Sequence, residues 1–352
     1  MTTRQRPDDA AAARAPAAVG GGAPAPDDTV VTVEAPARLH FGMLDLRGAL
    51  GRVFGGIGAA APAPTLLLEA RAAPAGTLDA EGDDAARVAE FARRFLAFHA
   101  LRGGARFVVR RAIPPHSGLG SGTQLALAVA RALAELYGVD ASDPARLARA
   151  VARARRSAIG TWAFARGGFI LEGGRRRDRD APAPLLARIP FPASWRCVVA
   201  VPRAKPGVSD EAENAAFASL PPPGHGEAEH VAHVVLMALL PALAEGDLTT
   251  FGEALSEVQR VNGRWFSTAQ GGVFAPGPSE ELVRRMGEWG AAGVGQSSWG
   301  PAVYGIVNGQ EAGESLAEHV RALLAAGDGG EVYAGPFAND GAQVTRATRQ
   351  FE

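Results

Sequence analysis

Hydrophobic positions along the chain repeat with two different periods. Segments 29–36 (TVVTVEAP) and 38–46 (RLHFGMLDL) carry the β-branched and aromatic residues that suit strands, and 65–71 (TLLLEAR) follows a Gly/Pro-rich stretch in the same style. Val88, Phe91, Phe95 and Phe98 then step by three, four and three, which predicts a helix over about 84–101. A strand is expected at 105–111, a helix at 125–138 closed by Gly138, a basic helix at 143–156, and strands near 168–172, 185–190 and 196–202. The later chain is more helical. Helices are expected near 210–219, 228–245, 247–261 and 279–289; in the third, Leu248, Phe251, Leu255 and Val258 repeat the three-four-three step. A strand at 301–307, a helix at 311–325 and a strand at 331–335 complete the pattern. Strands and helices mix without a regular βαβ repeat, so the fold class is α+β rather than a doubly wound sheet. The change of texture predicts two lobes, 29–204 and 205–352, joined near 202–207. Residues 1–28 are rich in Ala, Pro and Gly and are expected to be a disordered tail. That tail lacks the apolar run of a secretory signal, so a cytoplasmic location is expected.

Composition narrows the classes. Of 352 residues, 47% are hydrophobic and 21% charged, as in ordinary globular proteins. With 36 basic and 37 acidic residues the net charge is −1, so no global field recruits nucleic acid or a membrane surface. No apolar run approaches the roughly 20 residues of a spanning helix. The lone cysteine, Cys197, excludes an internal disulfide or a multi-thiolate zinc site and reads as a small core residue. The lone lysine, Lys205, is the single residue that could form a Schiff base. The Walker and Gly-x-Ser-x-Gly signatures are absent, which argues against a P-loop NTPase and against that class of hydrolase. His225, His230 and His233 lie near Glu227 and Glu229, but no further ligand motif supports a metal there. Arg175, Arg176, Arg177 and Arg179, interleaved with Asp178 and Asp180, read as a solvated hairpin.

Three segments carry candidate chemistry. The run 113–124 (IPPHSGLGSGTQ) lies between a strand and a strong helix. Its glycines allow tight turns, and free N–H groups at a helix start favour phosphate, with Gly118, Gly120, Ser121, Gly122, Thr123 and Gln124 as the nest. A capped helix after a glycine turn is the plainer reading. Two prolines before the glycines argue against a dinucleotide-binding turn. A second glycine run at 290–300 contains Gly293, Gly295, Gln296 and Ser297; alone it reads as a turn, but two phosphate-type loops together suit a diphosphate-bearing ligand. In the third segment, alternation along 38–46 places Arg38, His40, Gly42 and Leu44 on one face and Leu39, Phe41, Met43 and Asp45 on the other. Arg38 beside His40 suits a phosphate or carboxylate, or else a solvated sheet edge.

Taken in order, PARLHFGMLDLRG, PPHSGLGSGTQLALAVARAL and GAAGVGQSSWGPAVYG resemble the three motifs of the galactokinase, homoserine kinase, mevalonate kinase and phosphomevalonate kinase (GHMP) superfamily. The stretches GRVFGGIG, AIGTWAFARGGFILEGG and QRVNGRWFSTAQGG narrow the likeness to its β-ribofuranosylaminobenzene 5′-phosphate synthase branch, over about residues 29–340. Kinases of the superfamily carry an aspartate just before a Gly-Gly in the segment after the central helix. Here 157–168 (SAIGTWAFARGG) has no carboxylate, which disfavours phosphoryl transfer to a hydroxyl. The resemblance implies a two-lobed GHMP fold. It also implies decarboxylating condensation of 4-aminobenzoate with phosphoribosyl pyrophosphate, as in tetrahydromethanopterin synthesis, with Mg²⁺ as cofactor and a homodimer as the assembly. In that reading Arg38, His40 and Asp45 are catalytic, and Ser121 with Asp45 holds the metal. Arg52, Gly55, Gly56, Arg166 and Gly167 touch substrate. An ATP-dependent small-molecule kinase with an unrecognised acid is the alternative, and a non-catalytic phosphate sensor is a third reading.

Overall fold

The computed structural model describes residues 28–203, 216–217 and 220–348. The tail expected at 1–28 and the helix expected at 210–219 fall almost wholly outside these residues, as does Lys205.

Two antiparallel strands form the spine of the first sheet. The segments expected as separate strands at 29–36 and 38–46 are one continuous β1 (Thr29–Asp45), paired along its length with the longer β2 (Arg52–Ala73). The second half of β2 pairs with β4 (Gly104–Arg111), which holds the short parallel β3 (Leu78–Glu81). Its first half pairs with β5 (Phe169–Glu172) and with the two-residue β6 (Arg175–Arg176), and β5 carries β7 (Leu185–Ile189). Helices α1 (Ala85–Phe98), α2 (Ser121–Tyr137), α3 (Pro144–Ala150) and α4 (Ile159–Arg166) pack on this sheet and on each other, with α2 central.

The early part of β2, GGIGAAAP, is too rich in glycine and alanine to read as a strand. Its composition reflects what lies over it. A Cβ on Gly58 would stand 2.4 Å from the Leu39 carbonyl oxygen and 2.5 Å from Ile159 Cγ2 of α4, and Ala59, Ala60 and Ala61 are fully buried. Small residues let the helix backbone approach the sheet closely.

The second sheet runs β11 (Gly330–Gly335), β8 (Trp195–Pro202), β10 (Val303–Asn308), β9 (Gly293–Gln296), all antiparallel. Helices α8 (Pro278–Glu288) and α9 (Gln310–Ala326) pack on it around Val303, Met286, Leu316 and Val320. Between the sheets, α7 (Leu248–Gln270) touches β1, β9 and β10. Against α7 lie α5 (Glu227–Val234) and α6 (Leu240–Glu245), joined through a π turn at Val235–Leu239. Phe41 of β1 meets Tyr304 of β10 at 4.9 Å between ring centroids, so the two sheets share one core.

The α+β, two-lobed architecture is as expected, but the boundary at 204/205 is not the physical one. β8 already belongs to the second sheet, and β12 (Gln343–Thr348) returns to pair with β1 of the first. The basic helix expected over 143–156 stops at Ala150, where Ala152 and Ala154 adopt left-handed φ of 55° and 62°. The third helix of the second lobe runs on to Gln270, past the expected end at 261. Cys197 is a buried core residue, as expected. Within the 175–180 run, Arg175 and Arg176 pair with the start of β2, and Arg176 forms an exposed ion pair with Asp178. His230 pairs with Glu257 at 3.0 Å, and among the described residues no group of three or more His, Cys, Asp or Glu could hold a metal. One helix, Glu227–Glu245, is long and apolar enough by composition to cross a membrane, contrary to the sequence expectation; its Val231, Val235, Leu239, Ala242 and Leu243 are buried.

Replacing Gly58 with Ala forces a methyl group against a carbonyl and a β-branched side chain. The expected loss is about 1–3 kcal/mol, the usual range for overpacking. It is measured as a lowered urea midpoint at unchanged m-value.

Candidate active site

The first glycine run opens α2. Gly118 and Gly120 take φ of 83° and 74°, conformations that favour glycine, and Gly120 is the N-cap. The amides of Thr123 and Gln124 already bond the Gly120 carbonyl at 3.0 Å each. Those of Ser121 and Gly122 are first-turn donors, which an α-helix cannot satisfy internally. Above them sit two guanidinium groups: a Cβ on Gly122 would lie 2.1 Å from Arg87 Nη2 and 3.2 Å from Arg153 Nη2. Both cations lie over the Phe91 ring, at 5.9 and 5.1 Å, which holds them beside the helix start. Neither arginine was singled out from sequence. Arg87 lies next to Val88 of the α1 stripe, and Arg153 fell in a helix that ends earlier than its composition suggests.

The glycine run is fastened to β1 and to the turn after β9. Arg38 N–H donates to the Leu119 carbonyl at 2.9 Å, and Arg38 Nη1 donates to the Gly118 carbonyl at 2.7 Å. Ser297 Oγ donates to that same carbonyl at 2.7 Å and accepts the His40 N–H at 3.0 Å. Ala302 N–H closes the contact on the Ser117 carbonyl at 3.0 Å. A Cβ on Gly118 would stand 2.2 Å from the Ser297 carbonyl oxygen, so the two loops meet backbone to backbone.

Arg38 and His40 share a face of β1, as alternation predicts; their partners on β2 are Ala60 and Gly58. A register shift between His40 and Gly42 then changes the pattern. Gly42 pairs with Ile57 and Met43 with Gly56, so beyond Phe41 it is Met43, rather than Gly42, that joins the His40 face. His40 is 5% exposed, its ring lies beside Gly56, and its Nε2 has no hydrogen-bond partner. Burial, reinforced by the Arg38 charge, pushes its pKa down to about 3, so the imidazole is neutral.

One acidic side chain comes to this face from outside the searched segment. Glu172 ends β5 opposite Gly56 and is fully buried. Its Oε2 accepts the Ala158 N–H at 2.6 Å, at the start of α4, while Oε1 has no partner. Burial raises its pKa to about 8, against hydrogen bonds from Ser157 and Ala158 and the charge of Arg38. The segment 157–168 thus contains no carboxylate, yet one reaches the helix start that this segment forms.

Next to His40 a cleft opens between β1, α7 and the turn after β9. Its walls include Met43, Phe217, Phe266, Phe274 and Trp299. Phe266 and Trp299 pack edge to face at 5.0 Å. The amides lining it serve the backbone: Asn262 Oδ1 and Nδ2 bond Met43 N–H and carbonyl, and Gln259 bridges the Phe41 carbonyl and Gln296 N–H. The cleft therefore presents aromatic and apolar surface, with the mostly buried His40 among its lining residues.

This arrangement can be compared with known proteins. Residues 85–168 match the family model for the GHMP kinases N terminal domain, and 239–326 the model for GHMP kinases C terminal. A β-ribofuranosylphenol 5′-phosphate synthase from Methanothermobacter thermautotrophicus is 35% identical over 295 residues, covering 78% of this chain and 88% of the relative. One of the same name from Archaeoglobus fulgidus is 33% identical over 295 residues, covering 81% and 90%. The chain belongs to the β-ribofuranosylphenol 5′-phosphate synthase family, within the GHMP kinase superfamily. It is an enzyme of that family rather than one of the kinases. Among solved structures, the homoserine kinase of Cytophaga hutchinsonii superposes with a TM-score of 0.68 at 18% identity, covering 92% of this chain and 99% of that one, which shows the shared fold.

Within this family member, several residues expected at the site do other work. Asp45 ends β1, where its Oδ1 accepts the Arg47 and Gly48 N–H groups, and lies some 20 Å along the strand from Arg38. It therefore does not share a metal with Ser121. Arg52 lies at the same exposed hairpin end and donates to the Gly174 carbonyl at 2.9 Å, and Gly55 packs on Gly174. Gln124 turns inward to donate to the Gly160 carbonyl at 3.0 Å, so its side chain is not in the nest. The second glycine run is no phosphate loop. Gly293 and Gly295 are in strand β9, pressed against Gly252 of α7 and against Tyr304 and Gln259. Gln296 ties Ala275 N–H to the Ser298 carbonyl, and Ser297 is the junction described above. Gly167 packs on Asn339 and Asp340, and Arg166 is exposed at the end of α4. The residues brought together are Arg38, His40 and Gly56 with Gly118, Gly120, Ser121, Gly122 and Thr123, joined by Arg87, Arg153 and Glu172.

Two predictions follow from this geometry. Ser297→Ala leaves the Gly118 carbonyl and His40 N–H without their shared partner and is expected to cost about 1–3 kcal/mol in stability. Denaturant unfolding measures it. Glu172 links stability to pH. Its carboxyl stays protonated in the fold up to about 8 but ionises from 4.5 when unfolded, so its contribution is full below 4.5 and is lost as pH rises towards 8. His40 acts in the opposite sense only below 6.5. Between pH 6.5 and 8 the wild-type unfolding midpoint should therefore fall, and Glu172→Gln should flatten that slope.

Proposed function

We propose that the enzyme joins C1′ of phosphoribosyl pyrophosphate to the ring carbon of 4-aminobenzoate that bears its carboxylate. The observation that carries this reading is the junction of an arginine-rich helix start with an aromatic-walled cleft, Arg38 and His40 standing between them. In the reaction the C1′–O bond breaks, and its electron pair leaves with pyrophosphate. The electron-rich ring carbon forms the new C–C bond. The bond to the carboxylate then breaks, returning its electrons to the ring and releasing CO₂.

Each demand meets a named group. Charge developing on pyrophosphate is stabilised by the Ser121 and Gly122 amides and by Arg38, Arg87 and Arg153. The ring stacks in the cleft against Phe266 and Trp299. No acceptor hydroxyl is deprotonated, which accords with a 157–168 segment free of carboxylates. His40, neutral, lines the cleft beside Arg38 and adds no charge there. The curated relatives are named for a phenol product, and 4-hydroxybenzoate presents the matching substituent, so it is the competing acceptor. Of the residues expected to hold Mg²⁺, Ser121 alone stands at the nest. Magnesium would be held by Ser121 Oγ and would supply positive charge against the departing pyrophosphate. A highly charged phosphoribosyl donor is retained inside cells, which supports a cytoplasmic location.

Release of CO₂ from carboxyl-labelled 4-aminobenzoate tests the reading. Label should be lost with phosphoribosyl pyrophosphate and not with ATP, and 4-hydroxybenzoate in parallel ranks the two acceptors. ADP formation from ATP without CO₂ release would overturn it. Arg38→Ala should lower kcat/KM by about 10²–10³-fold, the scale for losing one preorganised charge-stabilising donor.

A further inference from the structure

We propose that the charge state of Glu172 governs anion binding at the glycine run: seated on the amide end of α4 and facing Gly56, on the sheet face that carries Arg38, its carboxyl leaves the Arg38 field intact when protonated and offsets it when ionised. The placement rests on three observations. Gly56 and Glu172 are paired across β2 and β5, and the His40 ring lies beside Gly56, which puts the carboxyl on the face of the sheet that carries Arg38 and His40. Oε2 is held by the Ala158 N–H at 2.6 Å, whereas the buried Oε1 has no partner. Arg38 Nη1 bonds the Gly118 carbonyl and so lies at the mouth of the nest.

The charge state decides what the carboxyl does. Protonated, Glu172 leaves the Arg38 cation as the local charge, and an anion at Ser121 and Gly122 meets an attractive field. Ionised, it would place a negative charge on the same buried face, offsetting Arg38 and repelling the anion where the dielectric is low. The titratable and charged groups on the neighbouring elements are the neutral His40 on β1, Arg52 on β2, Arg175 on β6, Arg188 on β7 and Arg166 on α4. Arg153, Arg155 and Arg156 precede α4. The Arg38 charge opposes the burial that raises the Glu172 pKa, whereas Arg188 is turned to the Gly167 and Asn339 carbonyls. Ionisation with a midpoint of about 8 sets the window: anion binding should weaken above that pH and be insensitive to Glu172 below it.

This inference rests on Arg38 as an anion clamp, and the experiment separates the two claims. The probe is sulfate, whose charge is fixed across the range, titrated into the full chain by calorimetry from pH 7 to 9. Loss of sulfate affinity in Arg38→Ala at pH 7 establishes the clamp; unchanged affinity there overturns the clamp and this inference with it. For wild type the sulfate Kd should rise about tenfold between pH 7 and 9, one pH unit beyond the midpoint. Glu172→Gln, neutral at every pH, should change less than twofold and bind sulfate more tightly than wild type at pH 9, a gain that a purely structural role would not produce. Equal pH dependence in the two proteins overturns the proposal. Should the variant fail to fold, proton uptake on sulfate binding by wild type at pH 8.5, read from buffers of different ionisation enthalpy, decides alone: more than about half a proton supports the proposal and zero overturns it. The KM for phosphoribosyl pyrophosphate should rise over the same pH range while kcat holds.

Discussion

Ser297 Oγ spans the edge of β1 and the carbonyl of Gly118, and the site is organised outward from that contact. The bridge is buried: it accepts the His40 N–H and adds a second donor, beside Arg38, to the Gly118 carbonyl. It also fixes distance. With Gly118 pressed on the Ser297 carbonyl, the glycine run cannot drift from the turn after β9, and Arg38 reaches the same Gly118 carbonyl from β1. Three chain segments from both sheets are thus locked at one atom. The helix that starts three residues later is aimed by this lock, because Gly120 is its N-cap.

Electrostatics on the buried face follow from burial more than from charge count. An arginine, a histidine and a glutamic acid crowd a region covered by α2 and α4, yet only one carries charge at neutral pH. Desolvation alone would cost several kcal/mol for each additional ion. His40 therefore stays neutral and Glu172 keeps its proton, while the Arg38 cation is stabilised by carbonyl oxygen and by its proximity to solvent at the nest. Arg87 and Arg153 add their charges over the Phe91 ring, outside the core. The result is a positive field at one helix start next to a cleft without ionised side chains on its floor.

Much of this was legible in sequence, and the failures have physical causes. Alternation placed Arg38 and His40 together, and the glycine run was correctly set at the start of a helix. The same alternation failed at Phe41, because a register shift is a property of a strand pair and leaves no trace in one strand's pattern. Glycines at 293 and 295 read as a phosphate loop, although they are small because α7 and Tyr304 lie against them; composition cannot distinguish close approach of a ligand from close approach of a helix. Gln124 and Gln296 look like site amides, but Gln124 Nε2 donates to the Gly160 carbonyl and Gln296 ties Ala275 N–H to the Ser298 carbonyl. Glu172, at the end of an apolar four-residue strand, lies within the AIGTWAFARGGFILEGG stretch, which assigns it no role. Only the pairing with Gly56 shows that it returns to the start of α4.

Sharing a kinase fold does not require sharing kinase chemistry. Phosphoryl transfer to a hydroxyl must dispose of a proton, which explains a carboxylate ahead of the Gly-Gly in the superfamily's kinases. Attack by an arene carbon on C1′ has no such proton at the bond-forming step, and the electrons that restore aromaticity come from the departing carboxylate. What both reactions retain is a polyphosphate whose negative charge grows as a bond breaks. The parts kept here match that division: the helix-start nest and its arginines persist, while the 157–168 segment carries Thr161 and Ala163 packed against the sheet instead of an acid. The carboxyl that does reach the site is buried and protonated, a state suited to preserving the field of Arg38 and ill suited to removing a proton.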